Sequence, residues 1–383
     1  MAIISHKSPI GINGIGRIGK LLLWMISARK QQSEIVISTG RNVGKNINDF
    51  ATYLAYDSTY GTYDRFMYGF TGGKRVEIKD NSVYLNGMRV VWLNDPKCRI
   101  AGNIPWSDHG IDVVFDTTGK AVDPTSQDDN SLRGHMKTVK KVILTAPFKI
   151  KNKGTAMPAD AVTLVGGVNF DKYNASLHNI ISNASCTTNC CAPPIKAIVD
   201  HFGENFVSYA LTTVHSATNS QSVLDVLPKD GDKDTRKRRS TLGNMIPTST
   251  GAANAVLEVI PEIRELGIGS QASSIRVPTA TGSIVILDVS IIGEYDNEYM
   301  HGIFRKYEQK NPEVMLFSDR QLVSADIVGS TYSTIYDSPF THHRTSKRDG
   351  RYYTMFDLNF WYDNEFGYVN SLMRLYDLVT GIK

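Results

Sequence analysis

The chain of 383 residues contains only four cysteines, and three of them crowd together at positions 186, 190 and 191. This spacing is not a disulfide framework, and so few cysteines are typical of a reducing compartment. No run of eighteen apolar residues occurs, which excludes a hydrophobic segment long enough to cross a bilayer. The formal net charge of +4 is too small to make a nucleic acid or a membrane surface the principal partner. The composition therefore predicts a cytoplasmic globular protein.

Targeting signals and low-complexity segments are lacking as well. Met1 to Lys7 has neither the apolar stretch nor the cleavage site of a signal peptide, and the final Gly381-Ile382-Lys383 is not a peroxisomal address. A composition of 41% hydrophobic and 21% charged residues excludes wholesale disorder. The chain is long for one core, so its length favours two domains.

A glycine-rich turn near the start lies between a predicted strand and a predicted helix. Residues 9–12 predict a short buried strand and residues 17–31 an amphipathic helix, with Gly14, Gly16 and Gly19 between them as G-x-G-x-x-G. In a dinucleotide-binding fold these glycines permit a tight turn, close approach of the pyrophosphate and close packing of helix on strand. The pattern alone is weakly specific, but the strand–helix–strand order around it favours a Rossmann domain.

Later segments predict a change of architecture near Cys186. Buried strands are predicted at 90–93, 112–115 and 141–144, so that Thr118 and Thr145 lie at strand carboxyl ends, where open α/β sheets bind ligands. Beyond Cys186, strands at 209–213, 283–289 and 352–361 alternate with helical stretches near 251–260 and 297–309, which predicts an α+β domain. Pro193-Pro194 lie inside a predicted helix from 186 to about 202 and should bend or restart it.

The most specific chemistry is predicted at residues 182–190, Ser-Asn-Ala-Ser-Cys-Thr-Thr-Asn-Cys, followed by His215. Small polar residues lead into an apolar segment, which places Cys186 at a helix N-terminus. Free N–H groups and the helix dipole there should lower the thiol pKa from about 8.5 towards 6 and make the sulfur mostly thiolate at neutral pH. A neutral imidazole at position 215 would be the general base. For an isolated cysteine, a buried core residue would be the more common interpretation.

These residues resemble the active-site signatures of the phosphorylating glyceraldehyde-3-phosphate dehydrogenase family. The resemblance extends over nearly the whole chain and includes the segments at 11–19, 182–190 with 212–215, 247–253, 276–279 and 361–368. It implies an α/β fold with a Rossmann-type, doubly wound parallel sheet at 1–185, joined by the C-terminal helix 364–383. A second, α+β catalytic domain with a mixed, mainly antiparallel sheet is implied at 186–363. It also implies a homotetramer that uses NAD, with no metal.

The resemblance further implies roles for individual residues. Catalysis is assigned to Cys186 as nucleophile and His215 as base. One phosphate site is assigned to Thr218 and Arg276, and the other to Ser185, Thr187, Thr250 and Gly251. The family has a phosphate-binding arginine in the basic run 236–239, where Lys237 aligns and Arg236 is the alternative. Cofactor contacts are implied for Asn13, Gly14, Gly16, Arg17, Ile18, Gly19, Asn42, Val43, Thr118, Thr145, Asn364 and Tyr368.

The largest departure from the family is at the adenosine ribose. NAD-binding folds usually place an acid at the end of the second strand, but this chain has Val43 at the aligned position and no acid until Asp49. Arg41 nearby could meet the 2′-phosphate of NADP, whereas Leu227-Pro228 matches a pair found in members that use NAD. We therefore expect NAD to be preferred, with weak discrimination against NADP.

The chain is expected to carry two insertions relative to the family. A bulge is expected at 229–233, and a second insertion at 341–348 is expected to be a surface hairpin tip, or alternatively a metal or polyanion site through His342 and His343.

The expected reaction is reversible oxidation and phosphorylation of glyceraldehyde 3-phosphate in glycolysis or gluconeogenesis. The alternatives are a dehydrogenase of erythrose 4-phosphate and a catalytically idle member with a binding role.

Overall fold

The structure is a computed structural model that describes residues 9–71, 75–152, 154–232 and 234–382. It divides into two compact units. The first comprises Met1–Leu164, Phe170–Ala184 and Leu372–Lys383, and the second Val165–Asn169 and Ser185–Ser371. Residues 1–7, where a signal peptide was not expected, lie outside the described residues. Within the described part of the chain, no helix has the length and apolar character that crossing a membrane requires.

The first unit is built on a largely parallel sheet. Its strands are β1 (Ile10–Asn13), β2 (Glu34–Ser38), β3 (Tyr56–Asp57), β4 (Gly61–Thr62), β5 (Val76–Lys79), β6 (Ser82–Leu85), β7 (Met88–Leu93), β8 (Val113–Asp116), β9 (Lys141–Leu144), β10 (Ala161–Thr163) and β11 (Ile180–Ser182). Its helices are α1 (Arg17–Arg29), α2 (Ile47–Ala55), α3 (Tyr63–Tyr68) and α4 (Leu132–His135).

The strand order places a ligand crevice beside β1. Nine described strands form one sheet in the order β10-β11-β9-β8-β1-β2-β7-β6-β5, parallel from β10 to β7 and antiparallel beyond. The central strands are buried on both faces, which explains their nearly continuous apolar sequences. Since β1 lies between β2 and β8, the connections leave it in opposite directions, and ligands bind at the carboxyl ends of strands at such a point.

The second unit combines helices with a mixed sheet. Its strands are β12 (Phe206–Ser216), β13 (Ile246–Thr248), β14 (Gly269–Val277), β15 (Ser283–Ile292), β16 (Met315–Ser318), β17 (Thr334–Asp337), β18 (His342–Arg348) and β19 (Arg351–Tyr362). Its helices are α5 (Cys186–Phe202), α6 (Ala252–Val259), α7 (Glu262–Glu265) and α8 (Asn297–Lys310), and α9 (Phe366–Thr380) runs from this unit into the first.

The sheet of the second unit carries His215 and Arg276 on neighbouring parallel strands. Its order is β13-β14-β12-β15-β19-β17-β16, with β18 paired to β19. Alternate residues of β15 are buried, so one face of that strand packs against the core, where α5 contacts it. The sequence predicted a bend or a restart at Pro193 and Pro194; the helix α5 is one continuous element through both, so a restart does not occur. Both prolines are buried, and packing of the helix on the sheet offsets the backbone hydrogen bonds that they cannot make.

Candidate active site

Cys186 is the first residue of α5, as the sequence predicted. Ser185 caps the helix, because its Oγ accepts a hydrogen bond from the backbone N–H of Thr188 at 3.1 Å. Ala184 precedes the cap with φ of 52°, a left-handed conformation that a residue with a side chain seldom adopts. Cys186 is partly exposed, whereas the other three cysteines are buried. The turn therefore places the least buried of the four cysteines at a helix N-terminus.

His215 meets this sulfur from the end of β12. The Sγ of Cys186 lies 3.4 Å from Nε2 of His215, which is only 3% exposed. The other ring nitrogen, Nδ1, lies 2.7 Å from the carbonyl oxygen of Ser216, which accepts, and against Nη1 of Arg276, which donates, so these two contacts favour opposite tautomers. In the tautomer with the proton on Nδ1, Nε2 is unprotonated and faces the thiol as a proton acceptor.

Arg276 is placed beside this pair by strand register. Strands β12 and β14 are parallel neighbours, and His215 is the register partner of Arg276. The guanidinium Nη1 donates to the carbonyl oxygen of Ser216 at 3.2 Å and lies against Nδ1 of the imidazole. Among the described residues, the buried Nε of Arg276 has no hydrogen-bond partner. An anion would satisfy this donor.

The charge states of the pair differ from the sequence-based expectation. Burial and the neighbouring Arg276 cation lower the pKa of His215 from 6.5 to about 3, although its hydrogen bond to Ser216 acts in the other direction. Burial raises the pKa of the Cys186 thiol above 9.0, and Arg276 and the backbone N–H of Thr187 offset only part of this effect. The expected fall of the thiol pKa is therefore wrong. Removal of the sulfur from water outweighs the helix terminus, so the pair is a neutral thiol and a neutral imidazole.

A buried hydroxyl cluster supports the pair from below. The Tyr362 hydroxyl lies 3.0 Å from Oγ1 of Thr187 and 2.9 Å from Oγ1 of Thr213. The Tyr362 ring also packs edge-on against the imidazole of His215, with 5.9 Å between the ring centroids. These contacts hold Thr187, a predicted phosphate ligand, within the core, and they connect β19 to His215 and to the residue that follows Cys186.

The neighbouring cysteines are poor nucleophiles. Cys190 contacts Oγ1 of Thr334 at 3.6 Å and the carbonyl oxygen of Phe360 at 3.8 Å. Burial raises the pKa of the thiols of Cys190 and Cys191 well above their usual value. Cys186 is therefore the candidate nucleophile among the three clustered cysteines.

The remaining predicted phosphate ligands lie at the ends of elements. Thr218 follows β12, is exposed, and has its Oγ1 2.9 Å from Oγ of Ser220. Thr250 accepts from the N–H of Ala252 at 3.2 Å, and Gly251 is the N-cap of α6. The predicted Ser185 hydroxyl contacts Oγ1 of Thr188 at 2.8 Å.

Three of the four cations in the basic run 236–239 form ion pairs. Arg236 is bound to Asp234, Arg238 to Asp232, and Arg239 to Asp225. Within the part of the chain that the structure describes, Lys237 makes no ion pair. Its position in the short 3₁₀ turn Thr235–Arg238 leaves its ammonium group as the one uncommitted cation of the run.

The glycine turn of the first unit fits a dinucleotide. Gly14 has φ of 92°, which glycine alone adopts without strain. A Cβ on Gly19 would lie 2.6 Å from the carbonyl oxygen of Gly14, so helix and strand pack too closely for a side chain. A Cβ on Gly16 would meet nothing within 4 Å, and Gly16 caps α1 without a side-chain bond. The open N-terminus of α1 is therefore available to a pyrophosphate.

A buried polar network that the sequence did not reveal underlies this turn. Asp116, at the carboxyl end of β8, accepts from Nδ2 of Asn13 at 3.1 Å and lies 3.2 Å from Nε2 of His135. Trp106 Nε1–H donates to Nδ1 of His135 at 3.1 Å, so the ring proton is on Nε2 and donates to Asp116. Burial opposes ionisation, but His135 and Thr118 hold the pKa of Asp116 below 3.8. The sequence predicted neither Asp116 nor His135 as a site residue, although the predicted strand 112–115 ends directly before Asp116.

Other predicted cofactor residues of the first unit are held in place by this region. Thr118 donates its Oγ1–H to Asp116 at 2.6 Å, and Thr145 donates to the carbonyl oxygen of Asp116 at 3.1 Å. Arg17 lies 2.8 Å from Asp57, and Ile18 is half-buried in the first turn of α1. In the loop after β2, Asn42 accepts from Nδ2 of Asn94 at 2.7 Å, and Val43 is half-buried.

Two predicted cofactor residues belong to the second unit. Asn364 accepts from Oγ of Ser283 at 2.8 Å and from Oγ1 of Thr281 at 3.2 Å, which orients its amide so that Nδ2 remains a donor. Tyr368 is buried in α9, with 5% of its surface exposed.

The two expected insertions take different forms. Lys229 and Asp232 close a turn, with the N–H of Lys229 donating to Oδ2 of Asp232 at 2.8 Å; Lys233 lies outside the described residues. Residues 342–348 are the strand β18 and not a hairpin tip, because the turn is made by Asp349 and Gly350 with φ of 44° and 76°. Within the described residues no group of three or more His, Cys, Asp or Glu could hold a metal.

Comparisons with known proteins agree with this geometry. Residues 8–124 match "Glyceraldehyde 3-phosphate dehydrogenase, NAD binding domain", and residues 185–364 match "Glyceraldehyde 3-phosphate dehydrogenase, C-terminal domain". A glyceraldehyde-3-phosphate dehydrogenase 1 of Bacillus cereus is 36% identical over 376 residues, covering 97% of this chain and 98% of its own. A glyceraldehyde-3-phosphate dehydrogenase of Geobacillus stearothermophilus is 35% identical over 370 residues, covering 96% of each chain.

The match to an NAD-binding domain, on a Rossmann-type sheet, identifies an oxidoreductase that binds a nicotinamide dinucleotide. With both domains matched and relatives aligned over nearly the full length, the chain belongs to the glyceraldehyde-3-phosphate dehydrogenase family. The predicted family, the α/β fold class and a dinucleotide cofactor are confirmed.

Proposed function

We propose that the protein catalyses the reversible oxidation and phosphorylation of glyceraldehyde 3-phosphate to 1,3-bisphosphoglycerate. The observation that carries this proposal is the Cys186–His215 pair, 3.4 Å apart, with the partly unsatisfied guanidinium of Arg276 beside it. A nucleophile, a base and an anion-binding cation are the groups that such a reaction needs. The glyceraldehyde-3-phosphate dehydrogenases of two bacilli named above support the same substrate.

The acyl-enzyme is formed by residues of the second unit. Nε2 of His215 accepts the thiol proton as Sγ of Cys186 attacks the aldehyde carbon, which gives a hemithioacetal. The backbone N–H of Cys186 and the imidazolium stabilise the alkoxide oxygen while the C–S bond forms. The imidazolium then returns this proton to the alkoxide, which gives the hydroxyl group of the hemithioacetal. As this carbon is oxidised, Nε2 accepts the hydroxyl proton and a thioester remains; bound NAD would supply the hydride acceptor.

Phosphate completes the cycle. One oxygen of inorganic phosphate attacks the thioester carbon, the C–S bond breaks, and the departing thiolate of Cys186 takes a proton from His215. The substrate phosphate is held by Arg276 and Thr218. The inorganic phosphate is held by Lys237 with Ser185, Thr187, Thr250 and Gly251, and the absence of a carboxylate partner for Lys237 among the described residues supports this choice over Arg236.

Cofactor binding is assigned to the glycine turn and the strand ends around it. The residues are Asn13, Gly14, Gly16, Arg17, Ile18, Gly19, Asn42, Val43, Thr118 and Thr145 in the first unit, with Asn364 and Tyr368 in the second. NAD is the proposed cofactor. The donor Nδ2 of Asn364 and the open N-terminus of α1 support binding of a carboxamide and a pyrophosphate, respectively.

A homotetramer is proposed as the working assembly. An exposed apolar surface in the segment 223–245 supports association: Leu224 is 66%, Leu227 89% and Met245 77% exposed. Light scattering after size exclusion should give four times the chain mass of 42.5 kDa. A monomeric mass at micromolar concentration would contradict the assembly.

Initial rates test the reaction. Rates should require glyceraldehyde 3-phosphate, NAD and inorganic phosphate together, and erythrose 4-phosphate should give a much lower kcat/KM. A higher kcat/KM for erythrose 4-phosphate would reassign the substrate. Absence of turnover with either aldehyde would support a binding role instead.

A further inference from the structure

The loop that follows β2 is contacted by a carboxylate from the next helix, that of Asp49. Asp49 lies in the first turn of α2, whose N-cap Asn46 accepts from the N–H of Asn48 at 2.8 Å. The Asp49 side chain points back towards the loop, where its Oδ2 accepts from the N–H of Lys45 at 2.6 Å. A charged group is therefore held two residues from Val43, the position where the family resemblance implies an acid.

Gly44 is what allows this approach. Its φ is 68°, and a Cβ at this position would lie 2.3 Å from Cβ and 2.6 Å from Oδ2 of Asp49. Any side chain at 44 would thus displace the carboxylate as well as strain the backbone. The turn and the helix start together hold Asp49 in one place.

The carboxylate still has an acceptor to offer. Within the described residues Asp49 makes no ion pair, and no hydrogen bond reaches its Oδ1. Arg41, on the same loop, has its carbonyl oxygen bound by Oγ1 of Thr39 at 2.5 Å, but its side chain is exposed and no described residue hydrogen-bonds to it. The carboxylate of Asp49, on α2, is thus held beside the loop, and the loop itself carries the unpaired guanidinium of Arg41 among the described residues.

We propose that Asp49 is the specificity-determining residue for the adenosine ribose, accepting a hydrogen bond from a ribose hydroxyl and repelling a 2′-phosphate. The inference rests on the proposed dinucleotide function, which places the ribose beyond the carboxyl end of β2. It changes one expectation, because Val43 by itself implied weak discrimination. With Asp49 in place, the protein prefers the unphosphorylated ribose firmly.

Binding without turnover tests the role. Isothermal titration calorimetry gives the dissociation constant of 2′-phosphorylated ADP-ribose divided by that of ADP-ribose, for wild type, Asp49→Asn and Gly44→Ala. A charged hydrogen bond exchanged for a neutral one, together with lost repulsion, should lower this ratio by about tenfold or more in Asp49→Asn. Gly44→Ala should lower it similarly, since it displaces the carboxylate without removing it.

The control is Asp108→Asn, which removes the same charge from an exposed site that precedes β8, at the amino ends of the parallel strands, whereas the loop after β2 lies at their carboxyl ends. It should leave the ratio unchanged. A purely structural role for Asp49 would weaken both ligands equally, and an unchanged ratio in folded Asp49→Asn and Gly44→Ala would overturn the inference. If wild type binds neither ligand, the dinucleotide function itself fails, which is a separate result.

Discussion

Replacing His215 with Asn should separate catalysis from the intrinsic reactivity of the thiol. The neutral state of the pair means that the imidazole does not maintain a standing thiolate; it accepts a proton only as the sulfur attacks. His215→Asn should therefore reduce kcat by about 10²–10⁴-fold, the usual contribution of a general base. The rate of alkylation of Cys186 by iodoacetamide should change little, because that rate follows the thiolate population.

The pKa of Cys186 determines how steeply the alkylation rate should depend on pH. Even a thiol at its ordinary pKa of 9.0 is only about 1% ionised at pH 7, and burial moves the pKa of Cys186 upward from there. The second-order rate constant should consequently rise about tenfold for each pH unit from pH 6 to 8. Mass spectrometry of the alkylated peptide should place the label on Cys186, with Cys186→Ser as the background control.

A thiolate–imidazolium pair would behave differently in both measurements. The alkylation rate would then be nearly constant between pH 6 and 8, and His215→Asn would slow alkylation strongly at pH 7. Either result would refute the argument that burial dominates the charge state of this sulfur.

Three further predictions concern stability and phosphate. The pKa of His215 is about 3 in the folded state and 6.5 in the unfolded state, so the folded state binds fewer protons between these values. The free energy of unfolding should therefore fall by about 1.4 kcal/mol per pH unit as the pH drops below 6.5. Urea titrations between pH 4 and 6 should show this slope in wild type and not in His215→Asn. Asp116→Asn should lower the free energy of unfolding at pH 7 by roughly 1.5–3 kcal/mol, because His135 loses a charged acceptor, whereas the surface change Asp108→Asn should not. Lys237→Ala should raise the KM for inorganic phosphate by about tenfold or more and leave the KM for the aldehyde nearly unchanged. The matched Arg236→Ala should change neither KM, since Asp234 already binds that guanidinium. Equal effects of the two substitutions on the KM for phosphate would refute the choice of Lys237 over Arg236.

Local patterns predicted most of the fold and the identity of the central pair. The strand–glycine–helix order predicted β1 and α1, and the polar residues before an apolar segment placed Cys186 correctly at the start of α5. Charge states could not be predicted in this way. The pKa of Cys186 depends on how much water the surrounding strands exclude, and no spacing of residues along the chain reports that.

Contacts between separate segments of the chain explain why the sequence did not predict three other features of the structure. His135 meets Asp116 across 19 residues, and Asp49 reaches the β2 loop only because Gly44 leaves room for it. The continuity of α5 through two prolines likewise depends on its burial against the sheet, which outweighs the local preference of proline. The residues that the sequence left unassigned are those whose roles come from tertiary packing.

The register of β12 and β14 has a consequence for where this chain can change in length. His215 and Arg276 face each other because nine consecutive residue pairs align, from Ser208 with Gly269 to Ser216 with Val277. One residue added within either strand would turn the base or the guanidinium to the opposite face of the sheet. Both expected insertions avoid these strands: 229–233 lies beyond Ser216, and β18 pairs with β19 alone. Insertions and deletions are thus tolerated in the connections, while each of these two strands must keep its residue count.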